Sequence, residues 1–358
     1  RQGVLMAVGF DVERLEIEGQ PVTILDDVMQ ALFMPNSSWD TGAGQVAVSA
    51  SGHLAYALGG VCPERLRSAM RVTSTGDTTI IPDMDSRNYG HFRVSPDGTR
   101  LAFTAGRGQR IEIWVHDLVR GVSRRLNTGG FSNVHPVWSP DGQLLAFGSN
   151  RDGVRNLYRA PLDGSSEPER LASSDGAQQV SAWSSQGVIA YLEAGDIWVL
   201  PLPDGTPEPF FTSGPTERYP TFSPDGNWLA YTSNQSGRSE VYVRPYPGPG
   251  PATQISGDGG GSPAWSPDGR QIYYVQPGSV LMAVDVIPGD EFQAGRPTRL
   301  IDPWDPGLSP VRGYDLFPDG SFVTRVADDD RSYWERLGVT EFHVILNFFE
   351  ELKGRVPN

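Results

Sequence analysis

The chain has 358 residues, a formal net charge of −14 at pH 7 and a sequence pI near 4.8. The acidic balance argues against nucleic acid, which needs clustered Lys and Arg to neutralise phosphates, and no basic run exceeds Arg124–Arg125. One cysteine, Cys62, excludes an internal disulfide and a Cys-rich zinc site, and no apolar run reaches the roughly 18 residues of a membrane span.

Gly (42) and Pro (30) punctuate the apolar runs, and nine Trp and twelve Tyr accompany them, so the chain reads as many short strands joined by tight turns. The first residue is Arg and no signal peptide is visible, so the native start is expected to lie outside this stretch and no compartment is assigned. The opening segments "VLMAVGFD" from Val4 and "PVTILDD" from Pro21 read as two strands. Both are echoed near the other end, by "VLMAVDV" from Val280 and "PTRLIDP" from Pro297.

A phrase then recurs along the chain. It runs "VSASGHLAYA" from Val48, "VSPDGTRLAF" from Val94, "WSPDGQLLAF" from Trp138 and "WSSQGVIAYL" from Trp183. It continues as "FSPDGNWLAY" from Phe222, "WSPDGRQIYY" from Trp265 and "LFPDGSFVTR" from Leu316. Between equivalent positions (Ser51, Asp97, Asp141, Gln186, Asp225, Asp268, Asp319) the spacings are 46, 44, 45, 39, 43 and 51 residues. Such a period belongs to propeller blades or helical repeats. In Ser-Pro-Asp-Gly, Pro presets φ, Asp suits the third position and Gly takes the left-handed one, which closes a hairpin. A second turn follows, as in "SNRDGVRN" from Ser149, and then two more short strands. Four short antiparallel strands per period make a propeller blade.

The predicted fold is therefore all-β, a single propeller domain over 1–358 built of four-stranded antiparallel blades. Complete units are expected at 45–83, 91–127, 135–172, 181–212, 219–256 and 262–302. Residues 314–326 supply two strands of a seventh blade, which Val4–Val8 and the strand after it are expected to complete, closing the ring; six blades is the alternative. The ending "EFHVILNFFEELKGRV" fits a strand and a short helix, a tail over 341–355 that competes for the outer place in the last blade.

The repeated "SPDG" followed by "LAF" or "LAY" resembles the TolB-like, or PD40, propeller repeat, over essentially the whole chain. "DIWVLPLPDG", "SNQSGRSEVYVRPYPGPG" and "VILNFFEELKGRVP" resemble the C-terminal propeller of bacterial proteins that often carry a serine/threonine kinase domain. The resemblance implies a sensor or interaction module, and a place in a longer kinase-linked protein. Kinase motifs are absent from the sequence, as is the G-x-S-x-G elbow of the peptidases that TolB-like propellers also precede.

A ligand site is expected at one mouth of the central channel. The residues opening each innermost strand, two or three ahead of the repeated Trp, Phe or Val, are Gln45, His91, His135, Ser181, Tyr219, Ser262 and, with Gly313, Tyr314. Beside Tyr219, Glu217 and Arg218 read as an exposed ion pair or, in the sharper reading, as a charged clamp over the channel. His91 and His135 hold equivalent places in neighbouring blades, where imidazoles bind a metal or act as an acid–base pair. The plainer reading packs them between blades or against water. Loop oxygens at Asp83, Asp85, Asn88, Asn133, Asp175, Glu217 and Asp258 could join them around calcium or zinc. Two functions follow. The first is a module that binds a protein, peptide or small solute. The alternative is a promiscuous metal-dependent hydrolase of phosphotriesterase, arylesterase or lactonase type, with His91, His135 and Glu217 as catalytic and metal residues.

Overall fold

The computed structural model describes residues 4–28, 45–58, 66–107, 110–126, 129, 131–211, 214–287, 291–302, 313–327 and 342–356. Cys62 and the acidic run at 328–330 lie outside them. Two compact units emerge: Leu66–Val326, and Arg1–Arg65 with Ala327–Asn358.

The larger unit is built from the repeated turn. In "SPDG" from Ser95, the Gly98 N–H donates to the Ser95 carbonyl at 2.8 Å, the Thr99 N–H to the Asp97 carboxylate at 3.1 Å and the Arg100 N–H to the Ser95 hydroxyl at 2.9 Å. Gly98 has φ of 72°, a value open to glycine at little cost. The copy from Ser139 makes the same three bonds. Each turn joins the first two strands of a sheet. Five sheets of at least four strands follow, over 89–125, 133–172, 178–209, 217–254 and 261–301. In the fifth, Gln293–Ala294 and Thr298–Ile301 share the outer place beside Val280–Ile287.

The apolar cores lie between sheets, so every sheet is buried on both faces. Ala102 and Ile113 of the first blade pack with Trp138 and Phe147 of the second. Equivalent clusters join the second to the third, the third to the fourth and the fourth to the fifth. Trp138 and Trp265 share one repeat position, and each indole N–H reaches the preceding blade, bonding the carbonyls of Arg93 (2.8 Å) and Thr221 (3.3 Å).

A sixth sheet closes the ring. Its order is Asp315–Leu316, Phe322–Ala327, Arg67–Val72 and Thr78–Ile80, so two C-terminal strands are completed by two from the N-terminal part of the chain. Tyr314 and Phe322 pack with Val72 and with Tyr273 of the fifth blade; Phe317 and Val323 pack with Ala69 and with Phe103 of the first. The all-β propeller of four-stranded antiparallel blades and the C-terminal helix are as expected, and the closure joins the two ends of the ring. Among the described residues the blade count is six, the alternative, and the segment that completes the last blade is 67–80 in place of Val4–Val8.

The reason lies in burial. Arg71 Nε donates to Ser321 Oγ at 2.7 Å, its guanidinium pairs with Asp319 and sits 4.2 Å over the Phe317 ring, and Ala69 and Val72 are buried. Leu5–Asp11 pairs with Glu16–Leu25, and Phe10, Val12, Leu15 and Ile17 of that hairpin are exposed. The shared "VLMAV" therefore encodes a strand without specifying its partner.

In the smaller unit, the first repeat copy forms the hairpin Val46–Val48 and Leu54–Ala57. Its third strand is Phe342–Ile345, followed by the helix Phe348–Arg355. Ile24, Leu54 and Phe348 form its core, and Phe349 is half exposed. The expected unit 45–83 is thus split, with its first hairpin here and its last two strands in the closing blade.

If 67–80 closes the ring, Arg71→Ala and Asp319→Ala should couple in a double-mutant cycle of urea denaturation by a few tenths to about 1 kcal/mol. Strictly additive effects would place the closing strands elsewhere.

Candidate functional site

The first strands of five of the six blades bear the same irregularity; the closing pair Asp315–Leu316 has none. In the five, pairing with the second strand slips between Tyr89 and Phe92, Val134 and Val137, Val180 and Ala182, Arg218 and Thr221, and Gly261 and Ala264. Each slip inserts one extra residue, a bulge that bends the strand and re-aims a side chain. Residues 136, 220 and 263 inside three of these slips are prolines, which have no N–H for a ladder and are confined to edges and bulges. The residues before them, His135, Tyr219 and Ser262, have φ of 55°, 54° and 57°. Non-glycine residues are uncommon there, and such strained positions gather at functional sites.

Five of the predicted positions, His91, His135, Ser181, Tyr219 and Ser262, are thus bulge residues. The strands themselves begin two or three residues earlier, at Tyr89, Asn133, Gln178, Glu217 and Gly261. In the first blade the space beneath the bulge is taken by Thr104, whose hydroxyl accepts the His91 N–H at 3.0 Å. A Cβ on Gly90 would sit 2.1 Å from that hydroxyl, so only glycine fits.

His91 and His135 are brought together as expected. Both are buried, and their rings are 4.4 Å apart, tilted by 60°. The charges around them are cationic. Burial, His135, Arg93, Arg325 and Arg155 all push the His91 imidazolium toward the neutral form, and burial, Arg155 and Arg93 do the same to His135. Arg93 lies two residues along the same strand. Arg325, from the closing blade, donates to the carbonyls of Tyr89 (2.7 Å) and Gly90 (2.5 Å). Arg155 enters from the loop between the second and third strands of the second blade. These three arginines did not figure among the expected residues. Only Arg93 carried a sequence signal, its spacing of two from His91 along a strand.

The other candidates divide. Ser181 Oγ is a buried atom with no hydrogen-bond partner among the described residues, as are His135 Nδ1, Arg155 Nε and one carboxylate oxygen of Glu217. Glu217 is buried at the entry to the fourth blade, and burial together with Asp196 raises its carboxyl to about 7. Arg218 is exposed and Tyr219 and Ser262 are half-buried. Tyr314 is fully buried, and its hydroxyl donates to the Ser262 carbonyl at 2.8 Å, so it is core and not rim. Gln45 is exposed in the smaller unit and belongs to none of the six blades.

The loop oxygens stay apart. Asp85 pairs with Arg87, Asp258 faces Arg238, Asp175 is exposed and Asn133 donates to the Phe131 carbonyl. Among the described residues no group of three His, Cys, Asp or Glu side chains converges. Two imidazoles amid arginines do not fit calcium or zinc, since calcium takes oxygens and either ion would be repelled.

A closed ring of six four-stranded blades around a channel is a β-propeller, a scaffold that presents a site at its axis. Residues 70–195 match the family model described as the TolB beta propeller domain, PD40. An uncharacterized protein of Agrobacterium fabrum is 30% identical over 174 residues, 44% of this chain and 59% of that one. A TolB homolog of Chlorobium luteolum is 29% identical over 158 residues, 42% of this chain and 35% of the relative. The chain thus spans less than two thirds of either curated relative. The solved structure of a putative TolB from Agrobacterium tumefaciens superposes with a TM-score of 0.55 at 18% identity, over 73% of this chain and 98% of that one.

The titrations give a pH test. The histidines' folded pKa lies below the ordinary 6.5, so below pH 6.5 the unfolded chain takes up protons that the folded chain refuses. Relative to His135→Gln, the wild type should lose up to about 1.4 kcal/mol per pH unit as pH falls from 6.5. Glu217 has the opposite sign. Its raised pKa favours the fold below 4.5 and costs it as pH rises through about 7, so the relative gain of Glu217→Gln should grow across that window. Chemical denaturation at a series of pH values checks both; pH-independent differences would contradict them.

Proposed function

We propose that the chain is a binding module of the TolB-like propeller type, which receives a protein, peptide or small solute at the channel mouth. The observation that carries this reading is the row of equivalent bulges. Successive blades turn His91, His135, Ser181, Tyr219 and Ser262 out of register at one level, and several polar atoms there have no partner among the described residues. Buried polar groups left unpaired are expensive, so a ligand or ordered water that satisfies them gains directly. The TolB relatives support an interaction role. The likeness of the tail to kinase-linked propellers supports a place as the sensing segment of a longer protein.

Hydrolysis has less support, because among the described residues His91, His135 and Glu217 do not converge as a group of metal ligands and the charge around the histidines is positive.

Peptides selected from a random library on the wild-type protein should bind a Tyr219→Ala, Ser181→Ala double variant about tenfold more weakly or worse. Selected peptides indifferent to both changes would refute the mouth as the site. In parallel, aryl-ester and phosphotriester turnover should show no metal-dependent component. A chelator-sensitive rate lost in His91→Ala, His135→Ala would favour the hydrolase instead.

A further inference from the structure

We propose that the mouth takes a carboxylate, seated between the Arg155 guanidinium, His135 and Ser181; this deepens the binding reading above and rests on it. The geometry comes from two adjacent blades. His135 occupies the bulge of the second blade, with its ring buried. Arg155 lies in the same blade, at the end of the loop preceding Asn156–Pro161. Its stem crosses the backbone of Gly148, where a Cβ would stand 3.0 Å from Arg155 Cδ. Gly148 is paired with Val134, the neighbour of His135, so the missing side chain opens the route along which Arg155 passes the bulge. The Arg155 carbonyl accepts the N–H of Gln178, tying the loop to the strand that carries Ser181.

Three buried polar atoms are thus presented without partners among the described residues: His135 Nδ1, Arg155 Nε and Ser181 Oγ. Arg155 has no carboxylate within 4 Å among them, although the chain has 43 Asp and Glu against 29 Lys and Arg. The Arg93 side chain adds positive charge at His135 from the neighbouring first blade. A guanidinium offers a planar fork that matches a carboxylate, and a bond between two charged groups is about twice as strong as a neutral one. A neutral imidazole and a hydroxyl each supply one further donor. A cation or an apolar group placed there would leave all of these unmet.

The test is thermal unfolding at fixed ionic strength with sodium acetate, inorganic phosphate, tetraglutamate and tetralysine as probes. The proteins are wild type, Arg155→Gln, Gly148→Ala, which keeps the charge but displaces the Arg155 stem, and Arg120→Gln, an exposed control. Acetate and tetraglutamate should stabilise the wild type saturably. Apparent affinity should fall about tenfold or more in Arg155→Gln, less in Gly148→Ala and not at all in Arg120→Gln. Acetate acting without tetraglutamate would still support the proposal, with a free small acid as the source. Equal stabilisation of all four proteins, or none by either carboxylate, would overturn it. An Arg155-dependent response to phosphate alone would overturn the carboxylate assignment. Because library peptides are scored at Tyr219 and Ser181, mouth binding that ignores Arg155 would sink this inference and leave the broader reading standing.

Discussion

The ring depends on one junction, where the strand Phe322–Ala327 meets Arg67–Val72. Every other blade is continuous in sequence and is held by its own hairpins. This one is assembled from segments about 250 residues apart, as the span between Arg71 and Ser321 shows. Its absence would leave two open sheet edges and strip one face from the clusters around Phe322 and Phe103. The contacts at the seam are accordingly varied: an N–H to a hydroxyl, an ion pair, a cation over an aromatic ring and buried small residues. The ion pair alone, half-exposed as it is, would contribute little; the buried apolar surface supplies most of the hold.

The architecture within a blade was legible because its information is local. Ser, Asp and Gly of the recurring turn satisfy one another within five residues, so each copy announces its hairpin regardless of context. Partnering over long range was not legible. The segments around Val4 and Val280 read almost alike, yet one is a half-exposed hairpin strand and the other is mostly core. What separates them is the neighbour they meet, and strand propensity does not encode that.

The site shows the same division. The repeat phase led to His91, His135, Ser181, Tyr219 and Ser262 because equivalent positions in successive blades must come round to one level. It misjudged the reason, taking bulges for strand beginnings, although Pro136, Pro220 and Pro263 carried the signal. Tyr314 differs because the closing blade's first strand pairs without a bulge and the Tyr314 ring is seated in the core. Gln45 failed because its repeat copy left the ring. Arg155 and Arg325 recur at no fixed period, and only folding brings them to the histidines.

The three prolines have one more consequence. An extended chain lying along the wall of the channel would look for a ladder of N–H donors on the innermost strands. At 136, 220 and 263 the donor is missing, and the neighbouring peptide units are rotated out of the pleat. The inner wall is therefore a poor template for strand addition. Under the proposed binding role, recognition would then fall mainly to side chains, and selectivity could change by substitution at the bulges while the blades behind them stay as they are.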